Sequence, residues 1–276
     1  MNLVSVIGVP WDASSSWQRG AAEAPAAIRK ALWAPSSNAY NERGDDLAAP
    51  GVFEDVGDVE LPEEPAQARA AIEDRIRVLV QAGRRPLILG GDHSITYPIL
   101  RGFAGRAEAP VVLHLDAHGD LYDEFPLRSG AETEPGDRYS HACPFARVME
   151  ERLATRLIQV GVRTLNAHQR AQAAKFGVET LGADRWRDAI AQVARLRGAL
   201  YVSLDLDVLE PMLAPGLSHP EPGGLNVRDV LEIFAAIRVP VIGADVVEYN
   251  PRNDVRDLTA RVGAKFVKEL IGLMRR

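Results

Sequence analysis

The sequence predicts an α/β fold built as one domain in three layers, with a mainly parallel sheet between two layers of helices. Three observations support this prediction. Short apolar runs alternate with segments of helical length along the 276 residues, no break in composition divides the chain, and polar motifs stand where apolar runs end. Strands that alternate with helices form parallel sheets with both faces covered, and ligands bind beyond the carboxyl ends of such strands.

Six apolar runs, rich in valine, isoleucine and leucine, are the predicted strands. Each has the length of a buried strand and is bounded by polar or turn-forming residues. The six runs are Leu3 to Ile7, Pro86 to Leu89, Val111 to Leu115, Leu157 to Val160, Ala199 to Leu204 and Pro240 to Ala244.

Capping residues and helical spacing predict helices between these strands. Apolar residues recur at the spacing of one helix face, polar residues stand at the predicted first turns, and glycines stand at two of the predicted ends. The predicted helices are Ala66 to Ala82 before Gly83, Asn166 to Gly177 with Gln169 as capping-box partner, and Asn226 to Ile237 with Asp229 near its start.

Composition and charge argue against some classes of partner. Hydrophobic residues make up 46% and charged residues 25% of the chain, and the net charge of −6 gives no reason to expect nucleic acid. No run approaches the roughly 20 apolar residues that span a bilayer, and the first residues do not resemble a signal peptide. Cys143 is the only cysteine, so no intrachain disulfide forms. We therefore expect a soluble cytoplasmic protein that binds neither nucleic acid nor a membrane.

Three short runs carry side chains that bind metal ions readily. Each run stands at the end of a predicted strand: Gly90 to Ser94, Asp116 to Asp120, and Ser203 to Asp207. The carboxyl ends of parallel strands gather at one edge of the sheet, so we expect the three runs to meet there. The metal-binding candidates in them are His93, Asp116, His118, Asp120, Asp205 and Asp207.

The second and third runs predict crowded carboxylates. In an extended chain alternate side chains share a face, so Asp116, His118 and Asp120 would point one way, as would Asp205 and Asp207. Packed carboxylates raise one another's pKa and destabilise a fold unless cations neutralise them. Carboxylates with one imidazole suit a divalent ion such as Mn²⁺. The pattern predicts a two-metal site.

Two further residues stand at the same predicted edge of the sheet. His141 follows a long irregular stretch, Glu124 to Tyr139, and a histidine placed there could move protons near neutral pH. A structureless stretch of that length is more often functional than idle, so we expect it to border the substrate. Glu248 follows the predicted strand that ends at Ala244, and is either a site residue or an exposed loop carboxylate.

Three other residues are expected to have structural roles, wholly or in part. His114 lies in a predicted strand in phase with Asp116, which favours a hydrogen-bonded core position or a contact behind the ligands. His219, between Gly216 and Pro220, either orders a loop near the site or is purely structural. Cys143 has no evident cation in the sequence to activate its thiol, so we expect it to pack rather than react.

The three runs, in this order, resemble the three signatures of the ureohydrolase family, which contains arginases, agmatinases and their relatives. They read Gly-Gly-Asp-His-Ser, Asp-Ala-His-Gly-Asp and Ser-Leu-Asp-Leu-Asp. Supporting stretches spread over nearly the whole chain, and those around His141 and His219 look most like the plant arginase and agmatinase branch. The resemblance implies one catalytic domain over residues 1–276, assembled into a homo-oligomer of three or six subunits.

The resemblance also implies two Mn²⁺ ions per subunit and assigns their ligands. One ion would take His93, Asp116, Asp120 and Asp205, and the other would take Asp116, His118, Asp205 and Asp207. Paired ions lower the pKa of a shared water molecule and supply hydroxide at neutral pH. Asp120 would orient that hydroxide, His141 would help to protonate the leaving amine, and Glu248 would pair with the guanidinium group of the substrate.

The implied activity is that of a hydrolase acting on linear amidines, which releases urea from a small guanidino compound. Agmatine, arginine and related ω-guanidino compounds are the candidate substrates, with agmatine first because no match to the animal arginase α-carboxylate contacts is evident. Two alternatives stay open: a formimidoylglutamase that releases formamide, and a metal-binding protein of the same fold without catalysis. The presence of His141 and Glu248 beside six metal ligands favours an enzyme.

Overall fold

A parallel sheet of eight strands forms the middle layer of the computed structural model, which describes residues 3–125 and 136–276. The strands lie in the order β2-β1-β3-β8-β7-β4-β5-β6, and the paired neighbours are parallel. Their bounds are β1 Val4–Gly8, β2 Phe53–Asp58, β3 Arg85–Leu89, β4 Val111–Leu115, β5 Arg156–Val162, β6 Glu179–Gly182, β7 Leu200–Asp205 and β8 Val241–Val247.

Helices cover both faces of this sheet. Helices α1, α6, α7 and α8 enclose one apolar core against the sheet, and α2, α3, α4 and α5 contribute to a second core on the opposite face. Their bounds are α1 Ala24–Leu32, α2 Pro65–Gln81, α3 Thr96–Gly102, α4 Pro144–Glu150, α5 Ala167–Phe176, α6 Trp186–Val193, α7 Val227–Ala236 and α8 Leu258–Met274. The predicted single-domain, three-layer fold is confirmed. Within residues 3–125 and 136–276, none of the helices combines the length and apolarity that crossing a bilayer requires.

Strand β4 shows how the sequence builds two cores from one sheet. All five of its residues are buried, and alternate side chains enter opposite cores: Leu113 belongs to the core that α6 and α7 help to enclose, whereas Val112 belongs to the core on the side of α3 and α4. His114 shares the face of Val112, with its ring 4.0 Å from that of Phe145. A central parallel strand is covered on both sides, which is why it reads in the sequence as an unbroken apolar run.

The two edge strands were not predicted from the sequence. β2 and β6 each pair on one side only, and their residues are partly buried or exposed. Their sequences, Phe-Glu-Asp-Val-Gly-Asp and Glu-Thr-Leu-Gly, lack the apolar run that identifies a central strand. Charged residues on an edge strand discourage pairing with another chain. Because these residues replace the apolar run, the sequence does not identify the strand.

The carboxyl ends of four adjacent strands lead to the residues singled out by the sequence. β3 leads to His93, β8 to Glu248, β7 to Asp205 and β4 to Asp116. These strands are neighbours in the order β3-β8-β7-β4 although they are far apart along the chain. The sheet order therefore places the three motif runs and Glu248 along one edge, as expected for a parallel sheet.

Candidate metal centre

His93 reaches the sheet edge through a close contact between two backbone segments. A Cβ atom on Gly91 would lie 1.7 Å from the carbonyl oxygen of Trp11, in the loop that follows β1. The amide of Asp92 donates a hydrogen bond of 2.8 Å to the same carbonyl oxygen. His93 then begins a single 3-10 turn, whose first free amide, that of Ser94, donates to the Asp92 side chain. Only glycine permits this approach, so the Gly-Gly pair fixes the position of the histidine.

Three carboxylates surround the imidazole of His93. Its Nδ1 atom lies 3.1 Å from Asp116 Oδ2, 3.0 Å from Asp120 Oδ2 and 3.2 Å from Asp205 Oδ2. All four side chains are buried. The other ring nitrogen, Nε2, lies 2.9 Å from the hydroxyl of Ser203, which fixes the orientation of the ring.

His118 and Asp207 form a second group next to the first. His118 Nδ1 lies 2.8 Å from Asp207 Oδ2 and 3.4 Å from Asp116 Oδ1. Asp116 therefore faces His93 with one carboxylate oxygen and His118 with the other. Asp205 lies next to His93 through Oδ2, and its Oδ1 accepts from the backbone amide of Asp207 over 2.7 Å. The structure thus brings all six predicted ligands into one continuous cluster.

The donor atoms present fit a pair of divalent cations. Among the described residues His93 Nδ1 has no hydrogen-bond partner, although it is buried and three carboxylate oxygens stand within 3.2 Å of it. A buried polar atom of this kind is rare in folded proteins and marks a place where an ion or a water molecule belongs. Imidazole nitrogens among carboxylate oxygens are ligands of divalent transition metals. The arrangement fits the two metal ions that the resemblance implies.

Electrostatic repulsion among the carboxylates of the cluster also favours bound cations. Burial, together with the charges of Asp207 and Asp116, raises the pKa of Asp205 well above its usual range. Burial and the charge of Asp116 raise the pKa of Asp207 to about 6. Burial would also raise the pKa of Asp116, but the imidazoles around it, that of His114 first, hold it well below the usual range. Cations in the cluster would offset this repulsion.

The ligands converge through bends and not through strand alternation. β4 ends at Leu115 and β7 ends at Asp205, so the later residues of each run lie beyond the sheet. Asp120 has a φ of 47°, in the left-handed region, and Asp207 lies in a 3-10 turn. The expectation that both runs stay extended was wrong in its geometry. The chain must turn at a strand end to point successive side chains at one place.

Asp245 helps to orient the His93 ring through the hydroxyl of Ser203. Its carboxylate accepts hydrogen bonds from the hydroxyls of Ser203 and Tyr201, each over 2.7 Å, and from that of Thr96 over 2.9 Å. The Ser203 hydroxyl in turn contacts His93 Nε2. All these side chains are buried, and such outer contacts orient metal-ligating imidazoles.

His114 supports Asp116 in the same manner. Its Nε2 lies 2.7 Å from Asp116 Oδ2, and its Nδ1 lies 3.1 Å from the side-chain amide of Gln159. His114 is fully buried on the sheet. The predicted hydrogen-bonded core position of His114 is confirmed.

A cavity of about 270 Å³ opens beside the cluster. The predicted ligands His118, Asp120, Asp205 and Asp207 line this cavity. His141 and Glu248, which have proposed chemical roles but are not predicted ligands, line it too. The structure therefore brings the predicted site residues together around one cavity.

Glu248 is a buried carboxylate held in an unusual backbone conformation. Its Oε1 atom accepts from the backbone amide of His93 over 2.8 Å and lies 3.2 Å from His141 Nδ1. Its Oε2 atom is buried and has no hydrogen-bond partner among the described residues. A φ of 62° places Glu248 in the left-handed region, which is uncommon for residues other than glycine and recurs at functional sites. Burial alone would raise the pKa of Glu248, but the hydrogen bond and charge of His141 lower it to about 2.

His141 and His219 face each other across the Ser16 hydroxyl. His141 Nε2 lies 2.9 Å and His219 Nε2 lies 3.5 Å from Ser16 Oγ, and the two rings stack with their centroids 4.7 Å apart. Burial would lower the pKa of His141, but its contact with Glu248 raises it above the usual value. Burial and the neighbouring His141 lower the pKa of His219 to about 4. His219 therefore lines the cavity, which agrees with its expected place near the site.

Ser16 and Gln169 are among the cavity-lining residues that sequence reasoning did not assign to the site. Asn166 caps α5 by accepting from the Gln169 amide over 2.9 Å, as predicted. The Gln169 side chain does not complete a capping box, however, and its buried Oε1 has no hydrogen-bond partner among the described residues. A glutamine on the buried side of a helix start was a signal for this position. Ser16 carried no signal, because the fold alone brings its loop to the site.

The stretch from Glu124 to Tyr139 lies in part outside the described residues, at 126–135. Its two ends pair, because Phe125 and Asp137 exchange backbone hydrogen bonds of 3.1 and 2.9 Å. Phe125 also lines the cavity. The base of the stretch is therefore at the site, and its role in bordering the substrate stays a prediction.

The chain is similar to known proteins along nearly its whole length. Residues 2–272 match the arginase family. The protein named "Arginase 1, mitochondrial" from Arabidopsis thaliana is 43% identical over 280 residues, which cover 96% of this chain and 79% of that protein. An agmatinase from Bacillus anthracis is 30% identical over 97% of this chain and 90% of its own length. The structure of an arginase from Medicago truncatula superposes with a TM-score of 0.89 at 39% identity, covering 99% of this chain and 87% of that chain.

The comparison contradicts the expected cytoplasmic location. Two arginases from Arabidopsis thaliana that resemble the chain are named mitochondrial and chloroplastic/mitochondrial. The expectation was wrong because it depended on a single cysteine and on the absence of a signal-peptide pattern. Neither feature separates the cytoplasm from the interior of an organelle.

Proposed function

The chain belongs to the arginase family of hydrolases, and from this membership we propose a more specific function. The protein is a binuclear manganese enzyme that releases urea from a guanidino compound. One observation carries the proposal. His93 Nδ1 converges with three carboxylate oxygens within 3.2 Å, beside a cavity lined by His141 and Glu248. When bound, paired divalent ions supply a nucleophilic water molecule at neutral pH.

The cluster offers separate ligand sets for two ions. His93, Asp120 and one oxygen of Asp116 face one position, whereas His118 and the other oxygen of Asp116 face a second. Asp205 would join the first set and also the second, and Asp207 would complete the second. Carboxylates outnumber imidazoles in both sets, which suits Mn²⁺.

Glu248 would bind the guanidinium group of the substrate. Its Oε2 atom has no hydrogen-bond partner among the described residues, and the residue lines the cavity. The low pKa of Glu248 keeps its carboxylate ionised at neutral pH. A carboxylate in this state accepts strong, charge-assisted hydrogen bonds from a planar cation.

His141 would donate a proton in the reaction, and Asp120 would orient the attacking water molecule. His141 stands beside Glu248 in the cavity, and its raised pKa favours the protonated ring that can donate to a leaving nitrogen. Asp120 lines the same cavity and would accept a hydrogen bond from the attacking water molecule. Attack at the guanidino carbon with protonation of the leaving amine gives urea and a free amine.

Arginine is the first substrate that we propose, with agmatine second. The arginase from Arabidopsis thaliana described above is 43% identical to this chain, against 30% for the agmatinase from Bacillus anthracis. This order reverses the one expected from the sequence alone. That expectation depended on the stretch from Glu124 to Tyr139, most of which lies outside the described residues.

The function is tested by assaying the Mn²⁺-loaded protein with arginine, agmatine, guanidinobutyrate, guanidinopropionate and formiminoglutamate. We expect urea from arginine with the highest kcat/KM. Formamide from formiminoglutamate without urea from the others would favour the formimidoylglutamase alternative. Release of neither product would contradict the proposal and favour a non-catalytic metal-binding protein.

The role of His141 is tested by the substitution His141→Asn. Loss of a proton donor is expected to lower turnover by about 10²- to 10⁴-fold. The metal content should stay at two ions per chain, because His141 is not among the proposed ligands. Turnover equal to that of the wild type would remove the role assigned to this residue.

A further inference from the structure

A second group of metal-binding side chains lies beside the carboxylate cluster. His141, His219 and Glu248 each offer one ligand atom, and these three atoms lie within 4.8 Å of one another. None of the three belongs to the proposed ligand sets of the two manganese ions. All three line the cavity, so a metal ion from solution would reach them along the path of the substrate.

We propose that His141, His219 and Glu248 form a third metal site, which binds Zn²⁺ and thereby inhibits the enzyme reversibly. Two imidazoles and one carboxylate are a ligand set that zinc uses in open, four-coordinate sites. The inference rests on the proposed function in two respects: two resident ions occupy the neighbouring cluster, and Glu248 binds the guanidinium group of the substrate.

The carboxylate of Glu248 gives an independent reason to expect a cation here. Its side chain is 6% exposed, and its Oε2 atom has no hydrogen-bond partner among the described residues. A buried carboxylate oxygen is costly to leave without a partner. The substrate guanidinium would satisfy this oxygen during turnover, and a metal ion could satisfy it between turnovers.

The two imidazoles lie next to each other at the cavity, and Glu248 contacts the Nδ1 atom of His141. Their rings lie at 30° to each other with centroids 4.7 Å apart, and both Nε2 atoms face the hydroxyl of Ser16. Tetrahedral zinc with bonds of about 2.0–2.1 Å holds neighbouring ligand atoms roughly 3.4 Å apart. The three ligand atoms lie within 4.8 Å of one another, so zinc binding would draw them closer by up to about 1.4 Å. A water molecule or the Ser16 hydroxyl could fill the fourth position.

Occupation of this site excludes the substrate. Glu248 cannot bind a guanidinium group and a zinc ion at once, so zinc and substrate compete. Divalent zinc binds nitrogen-rich sites more tightly than Mn²⁺ does, so the site would discriminate between the two metals. Zinc should therefore raise the apparent KM and leave kcat unchanged, whereas Mn²⁺ at the concentration that fills the cluster should not inhibit.

The test measures metal content and inhibition together on the manganese-loaded protein. After a brief exposure to buffered Zn²⁺ and gel filtration, we expect two manganese ions and one zinc ion per chain by mass spectrometry. Initial rates should show competitive inhibition that a zinc chelator reverses. Zinc that replaces manganese at a constant total of two ions would overturn the proposal, and so would two retained manganese ions without zinc.

The substitution His219→Asn removes one ligand of the third site without touching the cluster. We expect the zinc affinity to fall at least about tenfold, by analogy with changes around other metal sites, while two manganese ions remain bound. His168→Asn is the matched control, because His168 is an exposed histidine outside this group. Unchanged zinc affinity in His219→Asn, or an equal loss in His168→Asn, would overturn the proposal. A protein that takes up no manganese pair contradicts the proposed function instead, so the two failures are distinct.

Discussion

Glu248 shows how a tertiary contact gives one residue its role. In the sequence it is a carboxylate after a strand, and two interpretations stayed open. In the structure it is 4% exposed, has a left-handed backbone and shares Oε1 between the His93 amide and the His141 ring. No sequence pattern encodes that burial, because the contacts come from the turn that follows β3 and from the segment that contains His141.

Replacement of this carboxylate tests its proposed contact with the substrate. Glu248→Gln keeps the size of the side chain and removes its charge. Loss of a charge-assisted hydrogen bond of about 1.5–3 kcal/mol predicts a fall in kcat/KM of about 10- to 100-fold. Steady-state kinetics with arginine measure this, and Glu232→Gln on the exposed face of α7 is the control. Equal effects of both substitutions would show that Glu248 does not bind the substrate.

Cys143 is expected to be inert in the folded protein. It is fully buried, and burial together with the nearby Asp120 raises the pKa of its thiol well above the usual value. A thiol reagent at pH 8 should label no cysteine in the native protein and one cysteine in denaturant. Rapid labelling of the native protein would mean that this part of the fold opens, contrary to the predicted packing role.

The sequence predicted the residues of the cluster better than the route by which they meet. His93, Asp116 and Asp205 belong to short runs of residue types that bind metal ions, so the sequence alone identifies them as candidate ligands. Ser16 and Gln169 are ordinary polar residues until the fold surrounds them. Their positions depend on contacts between distant segments, which no local pattern contains.

Among the helices, α5 ends as the sequence predicts, at a glycine in the left-handed conformation. Gly177 was predicted to end this helix, and it does so with a φ of 66° and an amide that donates to the carbonyl of Ala173. Nothing lies within 4 Å of a Cβ atom added there, so the conformation alone requires glycine. This element was predictable because its signal is local.

The conformational requirement at Gly177 can be measured directly. Gly177→Ala should lower the free energy of unfolding by about 1 kcal/mol, because the left-handed region disfavours residues with a Cβ atom. Gly177→Asn should cost less, since asparagine tolerates that region better. Urea unfolding of the metal-loaded protein compares the two. A smaller loss for alanine than for asparagine would contradict the assignment.

The central strands were predictable and the edge strands were not, for one physical reason. β3, β4, β7 and β8 are covered on both faces, so most of their residues are apolar. β2 and β6 meet solvent and carry polar residues. The bends after β4 and β7, which bring the ligands together, follow contacts of the whole site and not the strand period.

For the molecule as a whole, removal of metal should expose the repulsion in the cluster. In the metal-free protein the pKa of Asp207 is raised to about 6 and that of Asp205 well above its usual range. The folded state then holds protons that the unfolded chain releases near pH 4. The metal-free fold is therefore favoured by these two groups at low pH and loses that contribution as the pH rises through about 4 to 6 and beyond.

Manganese displaces those protons, so its stabilising effect should grow with pH. We expect the increase in Tm on adding Mn²⁺ to chelated protein to be larger at pH 7.5 than at pH 5.5. Thermal unfolding at both pH values with equal free Mn²⁺ measures this. A larger increase at pH 5.5 would mean that the ion does not bind at the carboxylate cluster.

The sheet order, which joins runs far apart in sequence, is a property of the whole chain. The three-layer class was predictable from alternating strands and helices, but the neighbours β3-β8-β7-β4 follow only from the folded structure. The expected assembly into three or six subunits stays a prediction, which light scattering on the purified protein would test.

The central claim is that two metal ions bind between the three motif runs. The most direct measurement is a crystal structure of the Mn²⁺-loaded protein with anomalous scattering recorded at the manganese edge. We expect two anomalous peaks per chain, one beside His93 Nδ1 and one beside His118 Nδ1, with Asp116 contacting both. A single peak, or peaks away from these residues, would contradict the binuclear centre.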